Sequence, residues 1–504
     1  MSKRIIVNAD LTETRVAVQE GNLLTELYLE RQRHRSIVGS VYKGTVTNVL
    51  PGMQAAFVDI GLAKDAFLYA GDYTETLLPA VEGDADIELD EGEAPRREAT
   101  APIEQMLSRG QQVLVQVSKE SLGTKGARIT SFISLPGRYL VYMPQAEHIG
   151  VSRRIRDERE RDRLRASLRA LPLPPGGFIL RTNAEGKGEA EFAADVEFLS
   201  RLWAQIQARY EQATPPAVLH EEADLTFRVV RDLLSPEVDE FVVDDPEVHG
   251  RVLEYVRTLV PALEDRVKAY TGRTPIFDHF GVEKDIEKAL RRRVWLKSGG
   301  YIVIDHTEAL VSIDVNTGKY VGKRDFEQTV LKINLEAVTE VVRQIRLRDL
   351  GGIIIIDFID MEVPEHREQV EKALKRALAE DKARTNVLQI SELGLVEMTR
   401  KRVRQDLRAL LSVPCPTCRG SGVTKSDETL VAEVFRAIRA RVAADAEPVA
   451  RREVVVRVHP DLAAYLEGEA RPDLARLEAA LDVKAIVQPA DKPAPRDEFD
   501  IRLR

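Results

Sequence analysis

Two segments place carboxylates and an amide side chain where they could hold a divalent cation. In "VSIDVNTG" (311–318), a β-strand would put Asp314 and Asn316 on one face, because successive side chains of a strand point to opposite faces. In "GGIIIIDFIDM" (351–361), Asp357 ends an apolar strand, where a carboxylate is costly unless a cation or a backbone cap compensates it. Two carboxylates and an amide oxygen at adjacent strand ends suit Mg²⁺, which can activate water and neutralise phosphate charge. The alternative is that both Asp residues only cap the loops that follow.

The sequence around these segments contains a third carboxylate and several basic runs. If the strand alternation continued beyond Asp357, Asp360 would face the opposite side, so we leave Asp360 out of the predicted site. The basic runs lie at 291–293, 318–324 and 400–404. Each run could contact phosphate, but such a run is also typical of a solvated face.

A pair of phenylalanines predicts a surface on which nucleobases stack. Phe57 in "AAFVDIG" (55–61) and Phe67 in "KDAFLYA" (64–70) both alternate with small or aliphatic residues and lie beside polar ones. Two aromatic rings on a partly polar face are what a base-stacking platform requires. Lys125, in "GTKGA", could contact the backbone between nucleotides. The alternative is that one of the two rings belongs to the core.

The only two cysteines, Cys415 and Cys418, lie in "VPCPTCRGSG" (413–422). A Cys-x-x-Cys pair with Pro and Gly is typical of half a structural zinc site, which takes four ligands. No second pair exists in the chain, so zinc would need two thiolates from another copy. The alternatives are free thiols or a redox pair, although the surrounding pattern lacks the βαβ context that a redox pair favours.

The remaining pattern predicts the elements that hold these residues. Short alternating strands over 36–130 indicate a small barrel, interrupted by an acidic, solvated insertion at 82–98. A long amphipathic helix over about 325–349 ends at two glycines, which suit a helix C-terminus. The following "IIIIDF" has apolar residues on both faces of a strand, and it predicts a central strand in a sheet covered on both sides.

Composition indicates a soluble multidomain protein. The chain has 504 residues and a net charge of −9, from 73 basic and 82 acidic residues. This balance argues against a protein that coats nucleic acid indiscriminately, but it permits a local basic groove. We expect no membrane span and no signal peptide, because no sufficiently long apolar run occurs. The scarcity of cysteine favours a cytoplasmic location.

Several motifs in order along the chain resemble the ribonuclease E/G family. They are "NVLPGMQAAFVDIG", "GTKGARIT", "GGFILRTNAEGKGEAE", "SIDVNTG", "RLRDLGGIIIIDFIDM", "GLVEMTRKR" and "CPTCRGSG". The resemblance covers nearly the whole chain. Because the sequence ends soon after its last α/β segment, we expect the shorter type of the family, without the long disordered tail of its larger members.

The resemblance implies roles for matching positions of this sequence. Asp314 and Asp357 match the catalytic magnesium-binding carboxylates, and Asn316 matches the asparagine that orients one of them. The other matches are Phe57, Phe67 and Lys125 as RNA contacts, Gly137, Val141, Arg181 and Thr182 as the sensor of a 5′-monophosphate, and Cys415 and Cys418 as an intersubunit zinc link. Mg²⁺ is therefore the expected catalytic cofactor, and Zn²⁺ the expected structural one in a homodimer or homotetramer.

The same resemblance implies an α+β multidomain architecture. The implied segments are an RNase H-like domain at 1–35 and 226–290, an S1-type RNA-binding barrel of the OB fold at 36–130, a 5′-sensor subdomain at 131–225, a DNase I-like catalytic subdomain at 291–412, a zinc link at 413–424 and a small α/β C-terminal domain at 425–504. The acidic insertion at 82–98 is longer and more charged than the family pattern leads us to expect.

The implied function is Mg²⁺-dependent hydrolysis of single-stranded RNA to 5′-phosphate and 3′-hydroxyl ends, with a preference for 5′-monophosphorylated substrates. The family points to maturation of ribosomal RNA 5′ ends and to messenger RNA decay. Two alternatives from other classes stay open at this point. One is a non-catalytic RNA-binding or assembly protein, which the Asp314, Asn316 and Asp357 set disfavours. The other is a metal-dependent DNase, which the stacking phenylalanines disfavour.

Overall fold

The computed structural model describes residues 2–73, 87–89, 101–120, 126–318, 326–388, 391, 394–402, 404–418, 420–444, 452–490 and 495–503. Two units follow one another along the chain, Met1–Arg408 and Ala409–Arg504. Among the described residues, no helix combines the length and the apolar character that a membrane crossing requires.

The strands are numbered in chain order. The first thirteen are β1 (Lys3–Ala9), β2 (Glu13–Glu20), β3 (Leu23–Arg31), β4 (Val41–Leu50), β5 (Ala55–Asp59), β6 (Ala66–Tyr69), β7 (Ile87–Leu89), β8 (Gln112–Lys119), β9 (Arg128–Thr130), β10 (Leu135–Pro136), β11 (Leu140–Met143), β12 (Ile149–Ser152) and β13 (Gly177–Leu180). The others are β14 (Ala217–His220), β15 (Glu240–Val243), β16 (Val267–Ala269), β17 (Arg293–Trp295), β18 (Tyr301–His306), β19 (Leu310–Asn316), β20 (Gly352–Asp357), β21 (Thr385–Val387), β22 (Leu395–Arg400), β23 (Arg452–Val458), β24 (Val483–Pro489) and β25 (Asp500–Leu503).

The helices are numbered in the same way. They are α1 (Ile103–Met106), α2 (Glu158–Arg169), α3 (Glu189–Gln212), α4 (Leu225–Leu233), α5 (Pro246–Leu259), α6 (Ile276–His279), α7 (Val282–Ala289), α8 (Phe326–Arg348), α9 (Pro364–Leu378), α10 (Leu407–Leu411), α11 (Asp427–Ala443), α12 (Pro460–Glu467) and α13 (Arg471–Leu481). The long helix predicted for about 325–349 is thus confirmed as α8, and it ends just before the two glycines.

The sheet that carries both predicted carboxylates has six strands, in the order β17-β18-β19-β20-β22-β21. β19 and β20 are parallel neighbours, with Asp314 directly opposite Asp357. A parallel pair needs a long crossover connection, and α8 lies in this one. The chain order strand, helix, strand therefore brings together two aspartates that are far apart in the sequence.

One face of this sheet is buried and the other is open. Ile313 and Ile356 are fully buried, in one core with residues of α8 and α9. The side chains that alternate with them point away from that core, and Ile353 is 49% exposed. The prediction of a strand covered on both sides is therefore wrong, because α8 and α9 both pack on the same face. β20 is central, but its second face is open on the described residues.

The barrel predicted for 36–130 is confirmed as a closed structure of five strands. β4, β5, β6, β9 and β8 pair in that order, and β8 pairs with β4 to close the ring. Gly44 of β4 lies very close to β5 in this barrel, since a Cβ there would approach Val58 to 2.6 Å. Most of the acidic insertion at 82–98 lies outside the described residues. Its part 87–89 forms β7, which pairs with β12 of another sheet.

Two more sheets complete the first unit. One has the order β16-β15-β1-β2-β3, so that strands from the start of the chain and from residues 240–269 share a sheet. The other has the order β10-β11-β13-β12-β7 and packs against α2 and α3 in a common core. The subdomain names and boundaries implied by the family resemblance stay predictions.

The second unit is a small α/β structure. β24, β23 and β25 form one sheet, in which β23 and β24 run parallel with α12 and α13 between them in the chain. The prediction that the sequence near the cysteines lacks a βαβ context is wrong for the second unit as a whole, because β23, the two helices and β24 form such a connection. The cysteines nevertheless precede β23 and do not lie in the turn after it, which is where a redox motif would be placed.

Candidate active site and nucleic-acid interface

The two carboxylates and the asparagine lie together on the open face of the six-stranded sheet that contains β19 and β20. Asp314 and Asp357 are both exposed and are paired in register across β19 and β20. The Nδ2 group of Asn316 donates a 2.7 Å hydrogen bond to Oδ2 of Asp314. The structure thus brings the three residues together, and Asn316 fixes the orientation of the Asp314 carboxylate.

Partial burial and neighbouring negative charge raise the pKa of Asp357. Partial burial contributes most, and the neighbouring carboxylates of Asp314 and Asp360 also raise it. Asp360 is the residue that sequence reasoning missed. β20 ends at Asp357, so the alternation that assigned Asp360 to the opposite face does not extend to it. The available signal in the sequence was the end of the apolar run at Asp357, which indicates that the strand ends there.

A buried asparagine holds the loop that carries Asp360. Asn334 of α8 is fully buried. Its amide donates to the carbonyl oxygen of Ile359 at 2.9 Å and accepts from the Ile359 amide at 3.1 Å. This two-bond contact fixes the backbone between Asp357 and Asp360, because both polar groups of one peptide residue are satisfied by one side chain.

The donor set fits a hard divalent cation. The carboxylates supply only oxygen ligands, and they repel each other in the absence of a cation. They are also exposed, so a cation there can keep most of its water shell. Asp314 and Asp357 are the residues that would hold Mg²⁺, with Asp360 close enough to strengthen the local negative potential.

The barrel presents the two predicted phenylalanines as neighbours on its outer face. Phe57 and Phe67 are cross-strand partners, with ring centroids 6.0 Å apart and an interplanar angle of 72°. Both are partly exposed, whereas Val58 and Leu68 beside them are fully buried. Neither ring is therefore a core residue, which removes that alternative. Lys125 lies outside the described residues.

The basic run at 400–404 serves mainly to hold the fold together. Arg400 is 6% exposed and forms ion pairs with Asp349 at 2.6 Å and Asp381 at 2.7 Å. Arg404 pairs with the same Asp349 and stacks over Tyr28. Their charges are already compensated inside the unit. The run at 318–324 lies, apart from Gly318, outside the described residues.

Three of the four predicted 5′-sensor residues meet at the end of β13. The Arg181 guanidinium donates to the carbonyl of Gly137 and to Asp232, each at 2.7 Å. Thr182 follows it, with its hydroxyl 3.3 Å from that of Ser152. Val141 is fully buried between strands, so only its backbone could reach a ligand.

Two carboxylates that sequence reasoning missed lie beside Arg181 and Gly137. Asp232 pairs with both Arg181 and Arg231, which hold its pKa below the usual range although burial opposes them. Asp195 accepts backbone hydrogen bonds from Tyr139 at 2.7 Å and from Leu140 at 2.9 Å. A Cβ at position 137 would approach Asp195 to 2.6 Å, which explains the glycine there. Neither Asp lies in a motif, so the sequence offers no local signal for them.

The cysteine pair lies on the surface of the second unit. Cys415 is exposed and Cys418 is half-buried. The backbone amides of Cys418 and Thr417 donate to the Cys415 sulfur and lower the pKa of its thiol, which favours the thiolate that binds metal. Within the part of the chain that the structure describes, no third His, Cys, Asp or Glu joins them in a metal-binding group.

Comparison with known protein families gives two matches along the chain. A family model described as the ribonuclease E/G family matches residues 134–403, which include Asp314 and Asp357. A second model, described as the thioredoxin-like domain of RNase E/G, matches residues 414–502. The second match covers the cysteine pair and the parallel strands β23 and β24 of the second unit.

Curated proteins are similar to this chain over its full length. Ribonuclease G of Escherichia coli (strain K12) is 44% identical over 504 residues, covering 99% of both chains. Ribonuclease G of Haemophilus influenzae is 45% identical over 437 residues, covering 86% of both. Ribonuclease E of Escherichia coli (strain K12) is 36% identical over all of this chain but only 46% of its own length.

We expect Asp357→Asn to raise the thermal unfolding temperature at neutral pH without divalent cations. The native pKa of Asp357 lies above its unfolded value, so the native state binds the proton more tightly. Wild-type stability therefore falls as the pH rises through the native pKa, and the neutral Asn escapes this loss. Scanning calorimetry at several pH values measures the difference, which should vanish below the ordinary Asp pKa of about 3.9. Mg²⁺ should stabilise the wild type more than the variant. If the unfolding temperatures of the two proteins depend on pH in parallel, the raised pKa of Asp357 is contradicted.

Proposed function

Because this chain belongs to the ribonuclease E/G family, we propose that it is an endoribonuclease that hydrolyses single-stranded RNA with the help of Mg²⁺. The observation that carries the proposal is the in-register pair of Asp314 and Asp357 on an open sheet face. The proposed products carry a 5′-phosphate and a 3′-hydroxyl. Open access to this face matters, since an RNA strand must reach both carboxylates.

The chain's own residues orient the reacting groups. Bound Mg²⁺ would supply charge neutralisation at the phosphate and an activated water. Asn316 holds one oxygen of Asp314, which would leave the other oxygen of an already oriented carboxylate available to a cation. Asp357 must be ionised to act as a ligand. Burial and the neighbouring carboxylates raise its pKa and so disfavour the ionised form, and a bound cation would offset this by Coulomb attraction.

We also propose that the barrel holds the RNA strand and that the pocket at Arg181 recognises its 5′ end. The partly exposed pair of Phe57 and Phe67 offers two faces for base stacking, with Lys125 as the proposed backbone contact. Arg181 can make two parallel hydrogen bonds to a terminal monophosphate, and Thr182 can add a hydroxyl bond. A phosphate there must compete with Asp232 for the guanidinium.

Assembly through zinc is the third part of the proposal. The sequence contains only Cys415 and Cys418, whereas a structural zinc ion takes four ligands. Two copies of the chain would supply the four thiolates, in a homodimer or as one contact of a homotetramer. The proposed cellular roles are maturation of ribosomal RNA 5′ ends and messenger RNA decay in the cytoplasm.

Asp314→Asn and Asp357→Asn should each reduce RNA cleavage by at least about 10³-fold, since a catalytic metal supplies several kcal/mol of transition-state stabilisation. The dissociation constant for single-stranded RNA should change by less than about twofold, because stacking and phosphate contacts lie elsewhere. Gel assays with Mg²⁺, and with EDTA as the metal-free arm, measure both quantities. Asp305→Asn is the matched control, since Asp305 lies on the same face but pairs with Arg292. Full activity in either variant would refute the hydrolase assignment.

Arg181→Gln should remove the preference for a 5′-monophosphate. The rate ratio between 5′-monophosphorylated and 5′-hydroxyl forms of one RNA should fall to about one, because a neutral amide lacks the charge and the paired donors of guanidinium. Cleavage of the 5′-hydroxyl form should be little changed. Arg201→Gln, an exposed arginine of α3, serves as the control. An unchanged ratio would show that Arg181 does not sense the terminus.

Replacing both cysteines, as Cys415→Ser with Cys418→Ser, should remove bound zinc and lower the molecular mass in solution. Serine is a much poorer zinc ligand than thiolate, so the shared site would lose its bonds. Atomic absorption and light scattering measure the two effects on the same sample. Thr417→Ser keeps the backbone amide beside Cys415 and is the control. If the double variant keeps its zinc and its mass, the intersubunit site does not exist.

A further inference from the structure

An exposed aromatic cluster with an arginine lies on the same open face as the carboxylates. Trp295 is 63% exposed, and Tyr301 beside it is partly exposed. Their ring centroids are 5.2 Å apart at an angle of 62°. The Arg293 guanidinium lies 4.4 Å from the centre of the Tyr301 ring and 5.8 Å from that of Trp295. Arg293 belongs to the basic run at 291–293, whereas neither Trp295 nor Tyr301 was a candidate in the sequence analysis.

Strand pairing places this cluster one step from the catalytic residues. Trp295 of β17 is opposite Tyr301 of β18, and Tyr301 is opposite Asn316 of β19. Asn316 is two residues from Asp314 on the same strand and face. Two strand residues span about 7 Å, which is close to the spacing between neighbouring nucleotides in an extended strand.

The hairpin that carries the cluster is held rigidly. Glu336 of α8 accepts hydrogen bonds from the backbone amides of Lys297 at 2.6 Å and of Ser298 at 3.2 Å. At Gly300, a Cβ would approach the carbonyl oxygen of Asn316 to 2.8 Å. The β17–β18 turn is thus tied both to a helix and to β19. An aromatic pair fixed in this way loses little conformational freedom when a ligand stacks on it.

Charge favours a nucleic acid over a protein partner here. Arg292 is neutralised by an ion pair with Asp305, but among the described residues no carboxylate pairs with Arg293. Arg293 therefore offers a positive charge beside two aromatic faces, while the carboxylates lie across β18 on the other side. A base with its flanking phosphate matches that combination, since the ring can stack and the phosphate can approach the guanidinium.

We propose that Arg293, Trp295 and Tyr301 form a second base-stacking platform, which holds a nucleotide adjacent to the cleaved bond of single-stranded RNA. This inference rests on the proposed ribonuclease function and extends it. The barrel pair of Phe57 and Phe67 would hold the strand at one position, and the platform would hold it at another. Positioning by stacking needs no particular base, because every base offers a π face.

Trp295→Ala should weaken binding of a short single-stranded RNA about tenfold. Binding is measured in EDTA, so that no cleavage occurs and the result does not depend on the proposed catalysis. Trp295→Phe should retain most of the affinity, since it keeps a ring at the same position. Phe198→Ala is the matched control, because Phe198 is an exposed aromatic of α3 outside both platforms. If all variants bind equally, the platform is refuted.

Fluorescence and a modified RNA identify the nucleotide. The chain has two tryptophans, and Trp203 packs against the core of another sheet. The emission of Trp295 is the part of the wild-type fluorescence that is lost in Trp295→Phe, and RNA should quench it. An abasic nucleotide next to the cleaved bond should remove this quenching. The same abasic RNA should bind wild type about tenfold more weakly but should bind Trp295→Ala with no further loss.

The outcomes separate this platform from its alternatives. If quenching occurs but Asp357→Asn still cleaves RNA, the platform stands and the catalytic proposal fails. If Asp357→Asn is inactive but quenching and affinity do not depend on Trp295, the platform fails and the catalytic proposal stands. If Trp295→Ala lowers the molecular mass in solution and leaves RNA affinity unchanged, this face is a contact between copies of the chain, and the platform is refuted.

Discussion

The central constraint in this molecule is the placement of two like charges side by side. Parallel pairing of β19 with β20 fixes Asp314 opposite Asp357, and this neighbouring charge adds to partial burial in raising the pKa of Asp357. Such an arrangement lowers stability unless a cation joins it. The neighbouring contacts make sense in this light, since Asn316 and Asn334 restrain the site where the charges alone would push it apart.

The same sheet separates stability from chemistry by face. One face buries aliphatic residues against α8 and α9, while the other stays open and presents carboxylates, an asparagine and the Trp295–Tyr301 cluster. Arginines with buried carboxylate partners, such as Arg400, belong to the scaffold. Arg293 has no such partner among the described residues. Basic residues of one chain thus take different roles according to whether a carboxylate already compensates them.

Much of the fold and of the candidate site could be predicted from local sequence patterns. Alternation along a strand correctly put Asp314 with Asn316 and separated Phe57 from the barrel core, because that period is a property of the backbone. It does not extend beyond the end of the strand, so it could not place Asp360, whose charge acts on Asp357. It also failed for the faces of β20, because four successive isoleucines do not record which side the helices cover. Asp232 and Asp195 were missed because their partners are distant in the sequence.

The sequence by itself determined the chemistry that is available: which side chains exist, their spacing along each strand, and a total of two cysteines, which is half of a four-thiolate zinc site. Only the tertiary structure decided which of those side chains meet. Strand order made Asp314 and Asp357 neighbours and placed Tyr301 beside Asn316. The same tertiary structure engages Arg400 in buried ion pairs and places Arg293 over an aromatic ring. The physical reason is that proximity and burial, which set pKa and charge compensation, arise from contacts between residues far apart in the chain.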